Sequence, residues 1–182
     1  MPAESEQVTQ GTAAPNFDLP ATDGQNYTLA SFADAKALVV AFTCNHCPYA
    51  KAAWPLLISL ANYFKPKNIA FVGINPNDET HYPEDSFEQM KKMVPKWHIN
   101  FPYLRDESQK IAKAYGAVCT PDIFVYDQNR NLYYHGRIND NWQEPNKVTK
   151  EELKNALTYL LAGNPPPKDQ NPSIGCSIKW KN

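Results

Sequence analysis

Long apolar runs and an abundance of cysteine are both missing from this sequence. Four cysteines in 182 residues are too few for the disulfide scaffold of a small secreted domain. The longest apolar stretch is about six residues, far short of the ~20 that cross a bilayer. The first residues are polar and acidic, without the basic start and apolar segment of an export signal. We therefore predict a cytoplasmic protein in a reducing compartment, with no membrane partner.

A surplus of either charge is missing as well. Lys and Arg total 18 against 19 Asp and Glu, which gives a net charge of -1. The chain has no global attraction to polyanions, so we predict that nucleic acid is not a partner. Its length is typical of one domain, long enough to bury a single core, and it contains no internal repeat.

Strand and helix patterns alternate along the chain and predict an α/β fold. Residues 37–42 and 69–74 are apolar without polar alternation, as in strands covered on both faces of a sheet. Apolar residues at helical spacing follow the first of these runs, from about Cys47 to Phe64. Asp23-Gly24, between two short alternating runs, indicates an N-terminal β-hairpin.

The chain is expected to divide into three parts. Residues 1–11 are predicted to be a flexible N-terminal arm. The domain should span residues 12–163, with a final helix that Thr149 caps and Gly163 ends. Residues 164–182 begin as a proline-rich spacer and end with apolar side chains, which predicts a C-terminal tail that docks on the domain.

The most informative motif is Cys44-Asn45-His46-Cys47-Pro48, which joins the first apolar run to the first helical pattern. A spacing of three at the start of a helix brings two sulfurs close enough to form or break a disulfide with little backbone motion. The positive end of the helix dipole lowers the pKa of a cysteine there and so favours a thiolate. We predict a catalytic dithiol, with Cys44 as the attacking sulfur and Cys47 as the resolving one.

Less reactive interpretations of the motif stay open. Half of a zinc site is one, although a tetrahedral site needs four ligands and the sequence has no second Cys-x-x-Cys and no His-x3-His pair. Two buried, inert cysteines are another. His46 is predicted to tune the Cys44 thiolate through a hydrogen bond or a partial positive charge, and a solvated turn histidine is the alternative.

At this point the chain resembles the thioredoxin superfamily, in particular its peroxiredoxin-like branch related to alkyl hydroperoxide reductase and thiol-specific antioxidant proteins. The matching features are, in order, the hairpin at 17–29, the strand into Cys44-x-x-Cys47-Pro48, the pair Thr120-Pro121, and the hairpin after it. The resemblance implies a thioredoxin-like fold, in which a central mixed β-sheet is flanked by helices. It also implies a cis bond at Pro121, with Thr120 and Pro121 guiding substrate beside the dithiol.

Two departures from thioredoxin bear on the activity. The central dipeptide is Asn45-His46 instead of Gly-Pro, and residues 37–43 contain no acid to serve as the buried carboxylate of thioredoxin. Thr43 and Cys47 look like the peroxiredoxin Thr-x2-Cys motif with one residue inserted. That match would make Thr43 a tuning residue, Cys47 a peroxidatic cysteine and Arg137 a candidate for polarising peroxide, unless Arg137 is an ordinary surface charge.

Cys119 and Cys176 are candidates for accessory roles. Cys119 is close to Pro121, but neighbours along an extended chain point to opposite sides, so we favour a buried inert thiol. Cys176 lies in the apolar part of the tail. Docking of the tail could bring it near Cys119 or the dithiol as an additional exchange partner, and a packed or free thiol is the alternative.

These residues predict a thiol-disulfide oxidoreductase that uses no cofactor and no metal. Its expected partners are a protein or small-molecule disulfide and an external thiol reductant. A thiol peroxidase is the second hypothesis, and a non-catalytic redox-sensing or metal-binding module is the third. Trp54 and Trp97 lie on apolar helix faces and are expected to pack in the core.

Overall fold

Ten strands and four α-helices make up the protein, and a computed structural model describes all 182 residues. The strands are β1 (Pro2–Glu4), β2 (Asp18–Pro20), β3 (Asn26–Thr28), β4 (Ala37–Phe42), β5 (Ile69–Asn75), β6 (Tyr103–Arg105), β7 (Cys119–Thr120), β8 (Asp122–Tyr126), β9 (Leu132–Gly136) and β10 (Ile174–Ser177). The helices are α1 (Pro48–Phe64), α2 (Phe87–Trp97), α3 (Lys110–Tyr115) and α4 (Glu152–Leu161). None of the helices has the length and apolarity needed to cross a membrane.

The two apolar runs form the middle of a five-stranded mixed sheet, as the sequence predicts. Its strand order is β6-β5-β4-β8-β9. β4 pairs in parallel with β5 and antiparallel with β8, so its backbone groups are satisfied on both sides. The hairpin of β2 and β3 stands apart as a two-stranded sheet.

Both faces of the central sheet are covered, which explains why all six residues of β4 are buried. Leu38, Val40 and Phe42 face a core that includes side chains of α3 and of the β2–β3 hairpin. Val39 and Ala41 face the opposite core, which α1 and α4 complete. This layered arrangement confirms the predicted α/β fold, a mixed sheet flanked by helices with an N-terminal hairpin.

The two ends of the chain meet in a second sheet of order β1-β10-β7. The predicted flexible arm at residues 1–11 is corrected here, because Pro2–Glu4 pairs antiparallel with β10. The Ser5 amide continues this ladder by donating to the Ser173 carbonyl at 2.9 Å. A short polar segment thus finds backbone partners that its composition does not reveal.

The start of the last helix also differs from the sequence-based prediction. The residue at its N-cap is Glu151, and Thr149 does not cap it. The Thr149 hydroxyl donates instead to the Asp140 carboxylate, which also accepts from the Thr149 amide at 2.9 Å. A carboxylate is the stronger acceptor, and it draws Thr149 into the preceding loop.

Helix α1 depends on its apolar face, so shortening a side chain there should destabilise the protein. Leu57 is fully buried against the central sheet. We expect Leu57→Ala to lower the free energy of unfolding by about 2–5 kcal/mol, because it leaves a cavity as well as losing apolar contact. Urea denaturation measures this loss. Leu56→Ala is the matched control, since Leu56 is partly exposed and should cost clearly less.

Candidate active site

The Cys-x-x-Cys motif occupies the turn between the end of β4 and the start of α1. Cys47 is the N-cap residue of α1, and Cys44 lies three residues before it in the connecting turn. Both cysteine side chains are 0% exposed. Trp54, buried in α1, holds the turn in place by donating its indole N–H to the Cys44 carbonyl at 3.1 Å. The two predicted sulfurs are therefore together, but shielded from solvent.

The two sulfurs have opposite electrostatic environments. A hydrogen bond from the Cys44 thiol is the main cause that lowers the pKa of Cys47 to about 5. Burial opposes this shift, and a hydrogen bond with Cys176 assists it. Burial raises the pKa of Cys44 well above its ordinary value, and its hydrogen bond to Cys47 raises it further. Cys47 is thus the more acidic of the two sulfurs. This order is the reverse of the sequence-based prediction, because Cys47 receives the hydrogen bond from Cys44, whereas burial raises the pKa of Cys44.

Thr120 and Pro121 lie beside the dithiol, where the resemblance places them. The peptide bond between them is cis. The Thr120 hydroxyl is 3.3 Å from the Cys44 sulfur, and the Thr120 carbonyl oxygen is 3.4 Å from the Cys47 sulfur. One residue therefore touches both sulfurs.

His46 is directed to a buried carboxylate. Its Nδ1 donates a short hydrogen bond to Asp85, and its ring stacks on Tyr82 with 5.3 Å between centroids. The Asp85 side chain is 0% exposed, whereas that of His46 is 24% exposed. His46 thus binds Asp85, and a ring nitrogen of His46 also lies within 4.8 Å of the Cys44 sulfur, so its predicted tuning role stays a prediction.

Asp85 is the residue that sequence reasoning missed. It accepts hydrogen bonds from the amides of Asn45 at 2.7 Å and His46 at 3.2 Å, and from the Asn77 side chain at 2.7 Å. Its charge also raises the pKa of Cys44, after the larger effects of burial and of the Cys47 hydrogen bond. The buried acid that β4 lacks is thus supplied from a short 3₁₀ turn, Pro83–Asp85. No pattern in the sequence links it to Cys44.

Three groups at this site have the chemistry of metal ligands. The ligand atoms of Cys44, His46 and Asp85 all lie within 4.8 Å of one another. A structural zinc site takes four ligands, and the Asp85 carboxylate already has protein donors. The geometry therefore favours a hydrogen-bonded cluster over a closed metal site.

Neither residue singled out for peroxide chemistry, Thr43 or Arg137, forms a hydrogen bond with Cys47. Arg137 forms a two-pronged ion pair with Glu152, with N···O distances of 2.6 and 2.8 Å. Thr43 is fully buried, and its hydroxyl has no hydrogen-bond partner. Arg137 lines the same cavity as Pro121, and its predicted role in polarising peroxide stays a prediction.

The remaining cysteines differ in their relation to the dithiol. Cys119 is buried in β7, and its sulfur donates to the Pro121 carbonyl at 3.6 Å. Burial raises the pKa of this thiol far above its ordinary value. Cys176 lies on β10 directly opposite Thr120, and it packs against the cluster formed by Cys44, Cys47 and Ala50. Burial, followed by a hydrogen bond to Cys47, raises the Cys176 pKa to about 11.

A small cavity of about 110 Å³ opens beside Pro121. Its wall includes Tyr49 and Trp142, whose rings lie 4.0 Å apart, and the aliphatic side chain of Ile174. Trp142 is 36% exposed, in contrast to Trp54, which packs in the core as predicted. The cavity gives the cis-proline loop an apolar neighbour.

Comparisons with known proteins agree on one family. The model of the AhpC/TSA family matches residues 10–135. The thiol-disulfide oxidoreductase ResA of Bacillus subtilis (strain 168) is 24% identical over 123 residues, covering 68% of this chain and 64% of that protein. The match thus spans less than two thirds of this relative. The chloroplastic peroxiredoxin Q of Oryza sativa subsp. japonica is 27% identical over 157 residues, covering 81% of this chain and 66% of that protein.

Solved structures share the fold. An uncharacterized conserved protein from Geobacillus kaustophilus superposes with a TM-score of 0.94 at 45% identity, over 100% of this chain and 97% of that chain. The thioredoxin domain of a thiol-disulfide oxidoreductase from Bacteroides vulgatus has a TM-score of 0.67 at 18% identity, over 85% of this chain and 99% of that chain. The thioredoxin-like fold is thereby confirmed.

The electrostatics of the dithiol predict a distinctive titration. Thiolate absorbance in the ultraviolet should rise with a midpoint near pH 5, the pKa of Cys47. Cys44→Ala removes the main hydrogen-bond donor, so the midpoint should move up toward the ordinary value of a cysteine. Cys119→Ala is the control, because burial keeps that thiol protonated and the midpoint should not move. An unchanged midpoint in Cys44→Ala would contradict the assigned donor.

Proposed function

Because the chain belongs to the AhpC/TSA family, we propose that it acts as a thiol-disulfide oxidoreductase with Cys44 and Cys47 as its exchange couple. The observation that carries this proposal is the pair of neighbouring buried sulfurs at the turn into α1, both in contact with Thr120, in which Cys44 lowers the pKa of Cys47. Dithiol exchange needs one sulfur as nucleophile and a second within reach to resolve the mixed disulfide.

In the proposed reaction the Cys47 thiolate attacks a disulfide substrate. A mixed disulfide forms at Cys47, and one substrate thiolate leaves. Cys44 then passes its proton to the second departing sulfur and attacks Cys47, which releases the reduced substrate and closes the Cys44–Cys47 disulfide. Two electrons have moved from the protein to the substrate, and an external thiol reductant restores the dithiol.

The assignment of Cys47 as nucleophile replaces the order expected from the sequence. A nucleophile must be deprotonated at working pH, and the Cys47 pKa of about 5 meets this requirement. Cys44 is the better resolving sulfur, because its thiol keeps a proton that a leaving group can take. The Thr120 hydroxyl, 3.3 Å from the Cys44 sulfur, would stabilise the charge that develops there.

Thr120 and Pro121 would form the substrate-binding side of the site. Their proposed role rests on the Thr120 contacts with both sulfurs and on the cavity beside Pro121. Substrates in this proposal are protein or small-molecule disulfides, and the net charge of -1 gives no general attraction to nucleic acid. The cytoplasm fits the proposal best, because thiol reductants there keep such a dithiol reduced.

A thiol peroxidase is the second candidate function. The low pKa of Cys47 favours it, since a peroxidatic cysteine must also be a thiolate. Peroxiredoxin Q is among the relatives of the chain. Against it stands the ion pair of Arg137 with Glu152, which leaves Cys47 without an arginine partner among the hydrogen bonds of the site.

Two cysteine variants separate the two functions. We expect insulin disulfide reduction to fall to background in both Cys44→Ser and Cys47→Ser, because exchange needs both sulfurs. Cys44→Ser should also accumulate a mixed disulfide at Cys47, visible by mass spectrometry. Fast peroxide consumption in stopped flow that survives Cys44→Ser and is lost in Cys47→Ser would instead establish the peroxidase. Full insulin reduction by Cys47→Ser would refute the proposed nucleophile.

A further inference from the structure

In the resting fold both sulfurs of the dithiol lie below the surface, so an outside thiol or disulfide reaches them only when the fold opens locally. Cys44 and Cys47 are both 0% exposed, whereas Cys176 is only partly buried. Thiol-disulfide exchange requires in-line approach of one sulfur to another, so access limits its rate. Of the three cysteines that meet at this site, Cys176 alone is partly exposed.

Strand pairing directs Cys176 toward the dithiol. Cys176 is the antiparallel partner of Thr120 across β10 and β7. Directly opposed residues of an antiparallel pair point to the same face, and the Thr120 hydroxyl on that face is 3.3 Å from the Cys44 sulfur. The packing of Cys176 against Cys44, Cys47 and Ala50 agrees with this orientation.

The strand that carries Cys176 fits tightly against β7. A Cβ atom added at Gly175 would lie 2.2 Å from the Thr120 carbonyl oxygen, so only glycine permits this approach. The other edge of β10 is paired with β1. Beyond the strand, the Ile178 amide donates to the Val118 carbonyl at 3.0 Å. Cys176 is therefore held in place by the backbone on both sides.

We propose that Cys176 is a third exchange cysteine, which carries the disulfide between the buried Cys44–Cys47 pair and the protein surface. The proposal rests on the dithiol function proposed above and adds a route by which electrons enter and leave it. In this proposal the C-terminal tail takes part in the exchange reaction as well as in the packing of the fold.

The relay consists of balanced exchange steps. Cys176 loses its proton to solvent and attacks Cys47, so that the Cys47–Cys176 bond forms, the Cys44–Cys47 bond breaks, and Cys44 leaves as a thiolate that takes up a proton. A small thiol from solution then attacks Cys176 and expels Cys47 as a thiolate. A second small thiol attacks the sulfur of the first one in the remaining mixed disulfide with Cys176. This step releases Cys176 and a disulfide of the two small thiols. The net result is one protein disulfide reduced and two small thiols oxidised.

The acidities of the sulfurs support the second of these steps. A thiol with a low pKa is the better leaving group, and Cys47 has a pKa of about 5 against about 11 for Cys176. Attack on the exposed sulfur of a Cys47–Cys176 bond therefore releases the more stable thiolate. In that bond Cys176 is thus the sulfur that a small thiol attacks, and Cys47 is the sulfur that leaves more readily.

Reduction kinetics test the relay in the full-length protein. Oxidised protein is mixed with glutathione, and the disulfides are mapped by mass spectrometry at successive times. We expect Cys176→Ser to slow reduction of the Cys44–Cys47 bond on the order of tenfold, because the accessible sulfur is lost while the strand remains. Ser177→Ala is the matched control on the next residue of β10, and it should reduce at the wild-type rate.

Unchanged or faster reduction in Cys176→Ser would overturn the relay, the faster outcome showing that Cys176 only covers the dithiol. Absence of a Cys44–Cys47 disulfide in oxidised wild-type protein would instead refute the proposed function itself.

A second measurement traps the intermediate bond. In Cys44→Ala the dithiol cannot close, so oxidised glutathione should produce a Cys47–Cys176 disulfide. Adding Gly175→Val should reduce its yield on the order of tenfold, because the new side chain collides with the Thr120 carbonyl and displaces the strand. No Cys47–Cys176 bond in Cys44→Ala, or an equal yield in the double variant, would contradict the proposed presentation of Cys176.

Discussion

A thiolate that is shielded from water needs other hydrogen-bond donors, because burial alone raises the pKa of a cysteine. Cys47 meets this requirement with the thiol of Cys44, a contact from Cys176 and the N-terminal end of α1. Each donor comes from a different part of the chain. The fold of the central sheet, the turn before α1 and the docked tail are therefore all needed to keep one sulfur charged.

The Asp85 carboxylate is a second buried charge near Cys47, and it has its own hydrogen-bond partners. Asp85 lies close enough to raise the pKa of Cys44, and two unshielded anions at this site would repel each other. Amides of the Cys-x-x-Cys turn and the Asn77 side chain bind the carboxylate, and His46 covers its outer side. The Asn45-His46 dipeptide, which distinguishes the motif from that of thioredoxin, thus binds the Asp85 carboxylate through both of its amides and the His46 ring.

The sequence was sufficient for the parts of the site that depend on neighbours in the chain. The strand into Cys44, the helix from Pro48 and the Thr120–Pro121 pair follow from apolar periodicity and from an ordered set of motifs. Asp85 could not be found in this way, since it bonds to a residue 40 positions away. The order of the two cysteine pKa values was also beyond the sequence, because it depends on the hydrogen bond between the two sulfurs and on which of them is more deeply buried.

The pairing of β10 with β7 sets different conditions for small and large substrates. An extended polypeptide that used the Thr120 backbone would have to displace β10, and with it the β1 pairing that closes the other edge. A small thiol or disulfide needs only the open side of Cys176. The tail also binds beyond β10, where the Lys179 carbonyl accepts from the Asp78 amide and the Lys181 amide donates to the Gln109 side chain. Displacement therefore breaks contacts at several points at once, and exchange through Cys176 is the route that leaves the fold intact.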